Sequence, residues 1–179
     1  MKTLSDHILD IVQNSIRANA TLIEIIVEED KKNDLCVLRI RDNGCGMNKE
    51  ILEQATNPFF TTRETRKVGL GLSLLKQNAE MANGKFKIQS EVNKGTDVEA
   101  TFQYSNVDRP EFGDVWNTFY LTMLGNEKVE MIYEHKTNKG SFKISSIEIR
   151  KNTEGVSLQQ TEIREAITDL IKNNITDIQ

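Results

Sequence analysis

Two runs of β-branched residues, Thr21 to Val27 (TLIEIIV) and Leu35 to Arg41 (LCVLRIR), are separated by the polar, charged segment EEDKKND. Runs of this composition suit a pleated, half-buried surface, and the connector reads as a hairpin loop, so the two are expected to pair as neighbours. Such a sheet needs a layer against one face. The preceding segment supplies it: Leu4, Ile8, Ile11, Val12 and Ile16 recur at helical spacing within residues 3 to 19 and form one apolar arc. On the other side of that helix His7, Asp10, Asn14 and Arg17 follow at intervals of 3, 4 and 3, which lines them up as a polar stripe.

The glycine-bearing DNGCGM ends the second run, and a short helix is expected from about Asn48 to Ala55. An irregular stretch, NPFFTTRETRKV, leads to Gly69, and a helix over about Leu70 to Met81 stops at Asn83-Gly84. Lys85 to Val92 and Thr96 to Tyr104 read as a second hairpin joined by NKG. This order predicts a helix layer over a mostly antiparallel sheet. After SNVDRPEF the pattern changes, so a domain over residues 1–105 and a small α+β extension over 106–179 are expected. The extension reads as helix 114–124, strands 129–135 and 141–149, and helix 158–174, with His135 as an exposed strand residue. Phe112, Val115, Trp116, Phe119, Tyr120, Met123 and Leu124 form an apolar stripe that packs on its own domain or makes a partner or dimer surface.

Composition excludes several classes of function. At 179 residues the chain holds one domain or one domain with an appendage. Its 23 basic and 27 acidic residues give a net charge of -4, which argues against a protein that grips nucleic acid or anionic lipid through a basic field. No apolar run is long enough to cross a bilayer, and Asp6 and Asp10 interrupt the N-terminus where a signal peptide is apolar, so a cytoplasmic location is expected. Cys36 and Cys45 lack zinc-site spacing, so any metal is expected on oxygen ligands.

Three segments become informative together. Gly69 and Gly71 at a loop-to-helix junction let backbone N–H groups approach a phosphate, which the helix N-terminus also favours. Asn14, a single side-chain amide on a neighbouring helix, suffices for a magnesium ion that bridges phosphates and keeps its waters. Asp42 is an acceptor suited to the exocyclic amino group of adenine and repelled by a carbonyl at that position. Taken alone, Asp42-Asn43-Gly44 is a common turn, GLGLS lacks the third glycine of a dinucleotide fingerprint, and Asp10 or Asn14 is an ordinary polar residue on a helix face. No P-loop pattern occurs.

In combination, DIVQNSIRANA (10–20) resembles the N box of the superfamily of gyrase, heat-shock chaperone, histidine kinase and MutL ATPases, known as GHKL. RDNGCGM (41–47) resembles its G1 box, NPFFTTRETRKVGLGLSLL (57–75) its F and G2 boxes in the histidine kinase form, and KGTDVEATF (94–102) its closing G3 segment. The resemblance implies the Bergerat ATP-binding fold, an α/β (α+β) two-layer sandwich with a mixed, mostly antiparallel sheet, and ATP with Mg2+ as ligands. It assigns Asn14 to magnesium and Asp42 to the adenine amino group, with Gly44, Gly46 and Met47 shaping the adenine pocket. Thr61, Thr62, Arg63, Arg66 and Lys67 fall in the family's lid over the phosphates, with Phe59 and Phe60 as lid anchors or core. Gly69, Leu70, Gly71 and Leu72 complete the phosphate cradle, and Thr96 is the adenine-proximal threonine. Arg17 stands in for a phosphate-contacting lysine.

Departures from the pattern bear on mechanism. Asp10 occupies the position of the family's glutamate base, one methylene shorter, so hydrolysis is expected to be slow or absent. An internal phosphoacceptor hairpin is not expected, with six residues before His7. The expected function is an ATP-dependent regulatory switch with slow or partner-stimulated hydrolysis. The alternatives are a kinase acting in trans on a His, Ser or Thr of a partner protein, and an ATP-binding module without turnover. A protein partner is expected, or a homodimer through 106–179.

Overall fold

A computed structural model of the chain describes residues 1–57 and 70–179. Helix α1 (Leu4–Arg17) is followed by strands β1 (Leu22–Asp30) and β2 (Leu35–Asp42), short helix α2 (Lys49–Gln54) and helix α3 (Gly71–Met81). Strands β3 (Phe86–Glu91) and β4 (Gly95–Gln103) come next, then helix α4 (Val115–Gly125), strands β5 (Glu130–Thr137) and β6 (Ser141–Ser145), and helices α5 (Ser146–Asn152) and α6 (Thr161–Ile178). Among the described residues six strands form one sheet in the order β3-β4-β2-β1-β5-β6. All neighbours run antiparallel except β1 and β5, which are parallel. The sheet therefore runs unbroken across residue 105.

Strand alternation divides this sheet into a buried and a wet face. Ile23, Ile25 and Val27 of β1, Cys36, Leu38 and Ile40 of β2, Val98, Ala100 and Phe102 of β4, and Met131 and Tyr133 of β5 point into the core. Against them lie Leu4, Ile8, Ile11 and Val12 of α1, each worth about 1.5–3 kcal/mol when removed from water. The opposite face carries a charge ladder in which Arg39 donates to Asp97 at 2.9 and 2.6 Å and Arg41 donates to it at 3.0 Å. One packed face and one solvated face is the ordinary condition of an antiparallel sheet.

The stripe on α4 packs inward: Val115, Phe119, Tyr120 and Met123 are buried, and Phe112, Trp116 and Leu124 pack partly buried against the same core. Two expectations are corrected. Residues 141–149 are not one strand: β6 stops at Ser145, whose hydroxyl accepts from Ile147 N–H as a helix cap, and α5 begins. The alternating isoleucines imitate strand periodicity, but Ile149 reaches the core from a helix while Ile147 faces solvent. His135 is not exposed. It continues the inward row of Met131 and Tyr133 and is 2% accessible.

Candidate functional site

One end of the sandwich gathers the polar groups. Helix α1 starts at a capping box, with Thr3 Oγ1 accepting from Asp6 N–H at 3.2 Å and Asp6 accepting from Thr3 N–H at 3.1 Å. Hydrogen bonds from the Lys2 and Thr3 amides hold the Asp6 carboxyl below its usual range. Along the same helix the stripe is wired together. Asn14 Nδ2 donates to Asp10 Oδ2 at 3.2 Å, and Arg17 Nη1 donates to Asn14 Oδ1 at 2.9 Å.

Asp42 closes β2 with both carboxylate oxygens engaged. Ser15 Oγ donates to Oδ2 at 2.6 Å and the Gly44 amide donates to Oδ1 at 2.8 Å, which fixes the plane of the carboxylate. Opposite Asp42 in the sheet lies Thr96, and opposite Thr96 lies Ser90. Ser90 accepts from the Met47 amide at 2.8 Å, donates to the Gly95 carbonyl at 2.9 Å and lies 3.0 Å from Thr96 Oγ1. The glycine loop is thereby tied to the β3–β4 hairpin. Gly46 has φ +63°, and a Cβ there would stand 2.0 Å from the Glu91 carbonyl oxygen, so only glycine serves.

The second half of the arrangement is the start of α3. A Cβ on Gly71 would lie 1.7 Å from Asp10 Oδ2, so the bare backbone of Gly71 is what admits the Asp10 carboxylate. Leu70 stands exposed just before the helix, and Leu72 packs partly buried against the core. The structure thus brings Asp10, Asn14 and Arg17 together on α1, sets Asp10 against Gly71, and groups Asp42, Gly44, Gly46, Met47 and Thr96 at the ends of β2 and β4. Phe59, Phe60, Thr61, Thr62, Arg63, Arg66, Lys67 and Gly69 lie outside the described residues. Among the described residues no three His, Cys, Asp or Glu side chains are grouped to hold a metal. Burial pushes the Cys36 thiol up to about 12, which leaves it inert, while Cys45 is exposed in the glycine loop.

Three residues here escape reasoning from sequence alone. Ser15 is 2% accessible, and its signal is a hydroxyl placed inside the apolar arc of α1. Ser90 follows Phe86 and Ile88 in the inward alternation of β3, where a third apolar residue would be ordinary. His7, read as part of the polar stripe, is wholly buried between α1 and α3, and its Nε2 lies 2.9 Å from Asn78 Nδ2.

A family model described as "Histidine kinase-, DNA gyrase B-, and HSP90-like ATPase" matches residues 2–106. A sensor protein of Shewanella frigidimarina is 37% identical over 107 residues, covering 59% of this chain and 16% of that protein. Sporulation kinase D of Bacillus subtilis is 29% identical over 109 residues, 59% of this chain and 21% of that protein. The chain therefore spans only about a fifth or less of these relatives. Among solved structures, the Aquifex aeolicus MutL ATPase domain complexed with ADP superposes with a TM-score of 0.52 at 17% identity, over 95% of this chain and 70% of that one. The N-terminal domain of a DNA repair protein gives a TM-score of 0.59 at 20% identity, over 81% of this chain and 52% of that one.

Proposed function

The chain belongs to the family of histidine kinase-, DNA gyrase B- and HSP90-like ATPases, and on that premise we propose that it binds Mg-ATP as a regulatory switch with slow or partner-stimulated hydrolysis. The observation that carries this reading is Asp42, held in one orientation by Ser15 and Gly44 beside Thr96, as an acceptor for an adenine amino group must be. A carbonyl in that place would meet a fixed negative charge.

The rest of the arrangement supports the phosphate end. Gly71 opens α3 with backbone N–H groups that have no helical partner, and that helix start favours anions. Asn14 would hold magnesium through Oδ1, the atom to which Arg17 donates, and the ion would neutralise phosphate charge. Asp10 is the proton acceptor for a water attacking the γ-phosphate: the water oxygen bonds phosphorus as the bond to the ADP oxygen breaks, and the proton goes to the carboxylate. Thr61, Thr62, Arg63, Arg66, Lys67 and Gly69 enter on the motif resemblance alone, as lid and cradle. We take residues 1–105 as the nucleotide unit and 106–179 as an extension joined to its sheet.

The kinase relatives favour a second reading, in which the γ-phosphate passes to a His, Ser or Thr of a partner protein. Steady-state phosphate release at saturating Mg-ATP, with binding measured in the same samples, separates the two. Release abolished by Asp10→Asn supports a self-contained ATPase. Bound ATP without release supports transfer to a partner or a switch without turnover, and absence of binding overturns the proposal.

A further inference from the structure

We propose that His7 and Asn78 are positioning residues whose hydrogen bond sets the Asp10 carboxylate against the start of α3; the inference rests on Asp10 being the base.

His7 is the place where the core of this protein departs from economy. Its neighbours on the buried side of α1 are Leu4, Ile8, Ile11 and Val12, and the ring itself is 0% accessible. One nitrogen meets Asn78 at 2.9 Å. The other, Nδ1, is the one buried side-chain nitrogen or oxygen without a hydrogen-bond partner among the described residues. A leucine facing an apolar partner would avoid both the desolvation of the ring and the unmet nitrogen, so stability alone gives no reason for this pair.

Its location does. His7 lies three residues before Asp10 on α1, and Asn78 lies seven residues after Gly71 on α3. The two helices therefore touch at two fixed points: the His7–Asn78 hydrogen bond at one, and Asp10 lodged against the bare backbone of Gly71 at the other. Apolar packing holds helices together but lets them slide by fractions of a side chain. A directional bond between ring and amide sets the register. With the Asn78 amide nitrogen donating, Nε2 accepts and the ring proton sits on Nδ1. Burial holds the imidazole down at about 4, so it is neutral and keeps that acceptor through neutral pH. Without the bond, the α1–α3 contact loses its directional hydrogen bond beside Asp10, and a small shift of α1 against α3 carries Asp10 with it.

The test compares His7→Leu, which keeps an apolar side chain but removes the ring nitrogens, with His7→Gln, whose amide can still meet Asn78, and with Ile8→Val as a packing control. Asn78→Ala probes the pair from the surface of α3 should His7→Leu fold poorly. Two readouts are taken: turnover against ATP affinity, and the carboxyl carbon resonance of Asp10 in the nucleotide-free protein. His7→Leu and Asn78→Ala are expected to lower turnover about 10- to 100-fold, as a misplacement on the order of 1 Å does, with affinity within about twofold. The Asp10 resonance moves in both. His7→Gln restores most of the turnover, and Ile8→Val changes neither readout. If wild-type protein binds ATP but releases no phosphate, the base assignment fails on its own, and the Asp10 resonance still decides the positioning role. A resonance unmoved in both His7→Leu and Asn78→Ala overturns the proposal.

Discussion

The fold buries two histidines and treats them differently. His135, at the seam between β1 and β5, has both ring nitrogens engaged: Nε2 lies 2.7 Å from Glu29 Oε1, and Nδ1 lies 2.7 Å from the Tyr133 hydroxyl. Glu29 also accepts from the side chain of Gln179 at 2.6 Å, which ties the end of α6 to the same group. His7, beside the candidate site, has one partner and one unmet nitrogen. A polar network that is fully satisfied rigidifies a scaffold, whereas one left incomplete trades stability for something else, and such exchanges collect at functional sites. On the proposal made above, the sheet seam is scaffold and the α1–α3 contact serves the candidate site.

The largest effect expected is at the seam. His135→Ala leaves the Glu29 carboxylate, itself 1% accessible, with Gln179 but without its imidazole partner, and removing one partner of such a buried pair costs about 3–5 kcal/mol. Denaturant unfolding measures this, and ATP affinity in the fraction that remains folded is expected to hold within about twofold. An affinity lost in step with stability would abolish the distinction between the two regions.

Titration separates them further. The His7 imidazole falls from 6.5 to about 4, chiefly through burial. Between those values the unfolded chain takes up a proton that the folded chain refuses, so stability drops as pH falls from about 6.5 to about 4, by roughly 3 kcal/mol. Burial acts to raise the Glu29 carboxyl, but the hydrogen bonds from His135 and Gln179 outweigh it and leave the group below its ordinary 4.5. Its contribution is thus complete above 4.5 and lost as pH falls through its lower folded value. Unfolding free energies from pH 8 to 4 should show the earlier loss vanish in His7→Leu, and an undiminished slope would mean that another group carries it.

The smallest effect sharpens the contrast inside the site. Ser15→Ala removes a donor to the Asp42 carboxylate, and a hydrogen bond to a charged group is worth about 1.5 kcal/mol or somewhat more, so ATP should bind roughly tenfold more weakly. Discrimination between ATP and ITP should narrow with it, since the carboxylate is then held by Gly44 alone. Equal affinity for wild type and variant in calorimetry would show that Asp42 needs no second support.

The part of the molecule that matches the family model was largely legible in its sequence. Periodicity located α1, the β1–β2 hairpin and the β3–β4 hairpin, because each alternates or repeats cleanly against one buried face. Motif spacing pointed to Asp10, Asn14 and Asp42; in the structure Asn14 donates to Asp10 on α1, and Asp42 accepts from Ser15 of the same helix. What escaped were groups whose meaning depends on contacts distant in sequence. His135 reads as a surface residue because nothing nearby reveals that Glu29, 106 positions earlier, faces it. Ser15 and Ser90 look like small polar interruptions until Asp42 and Met47 are placed beside them. Helix α5 was hidden by isoleucines spaced as in a strand, where a serine cap rather than the pattern ends β6.

Strand β1 lies between neighbours made at very different times. Its pairing with β2 is available once residue 42 has left the ribosome, but its parallel pairing sets Leu22 beside Glu130, 108 positions on. Until then one edge of a strand reading LIEIIVEED offers unpaired N–H and C=O groups, with a carboxylate turned toward a core that lacks its histidine. The nascent chain therefore passes through a long interval in which a strand with five apolar residues is also an open edge, and completion of the fold waits on a late, long-range contact of the kind that slows folding and invites misassembly.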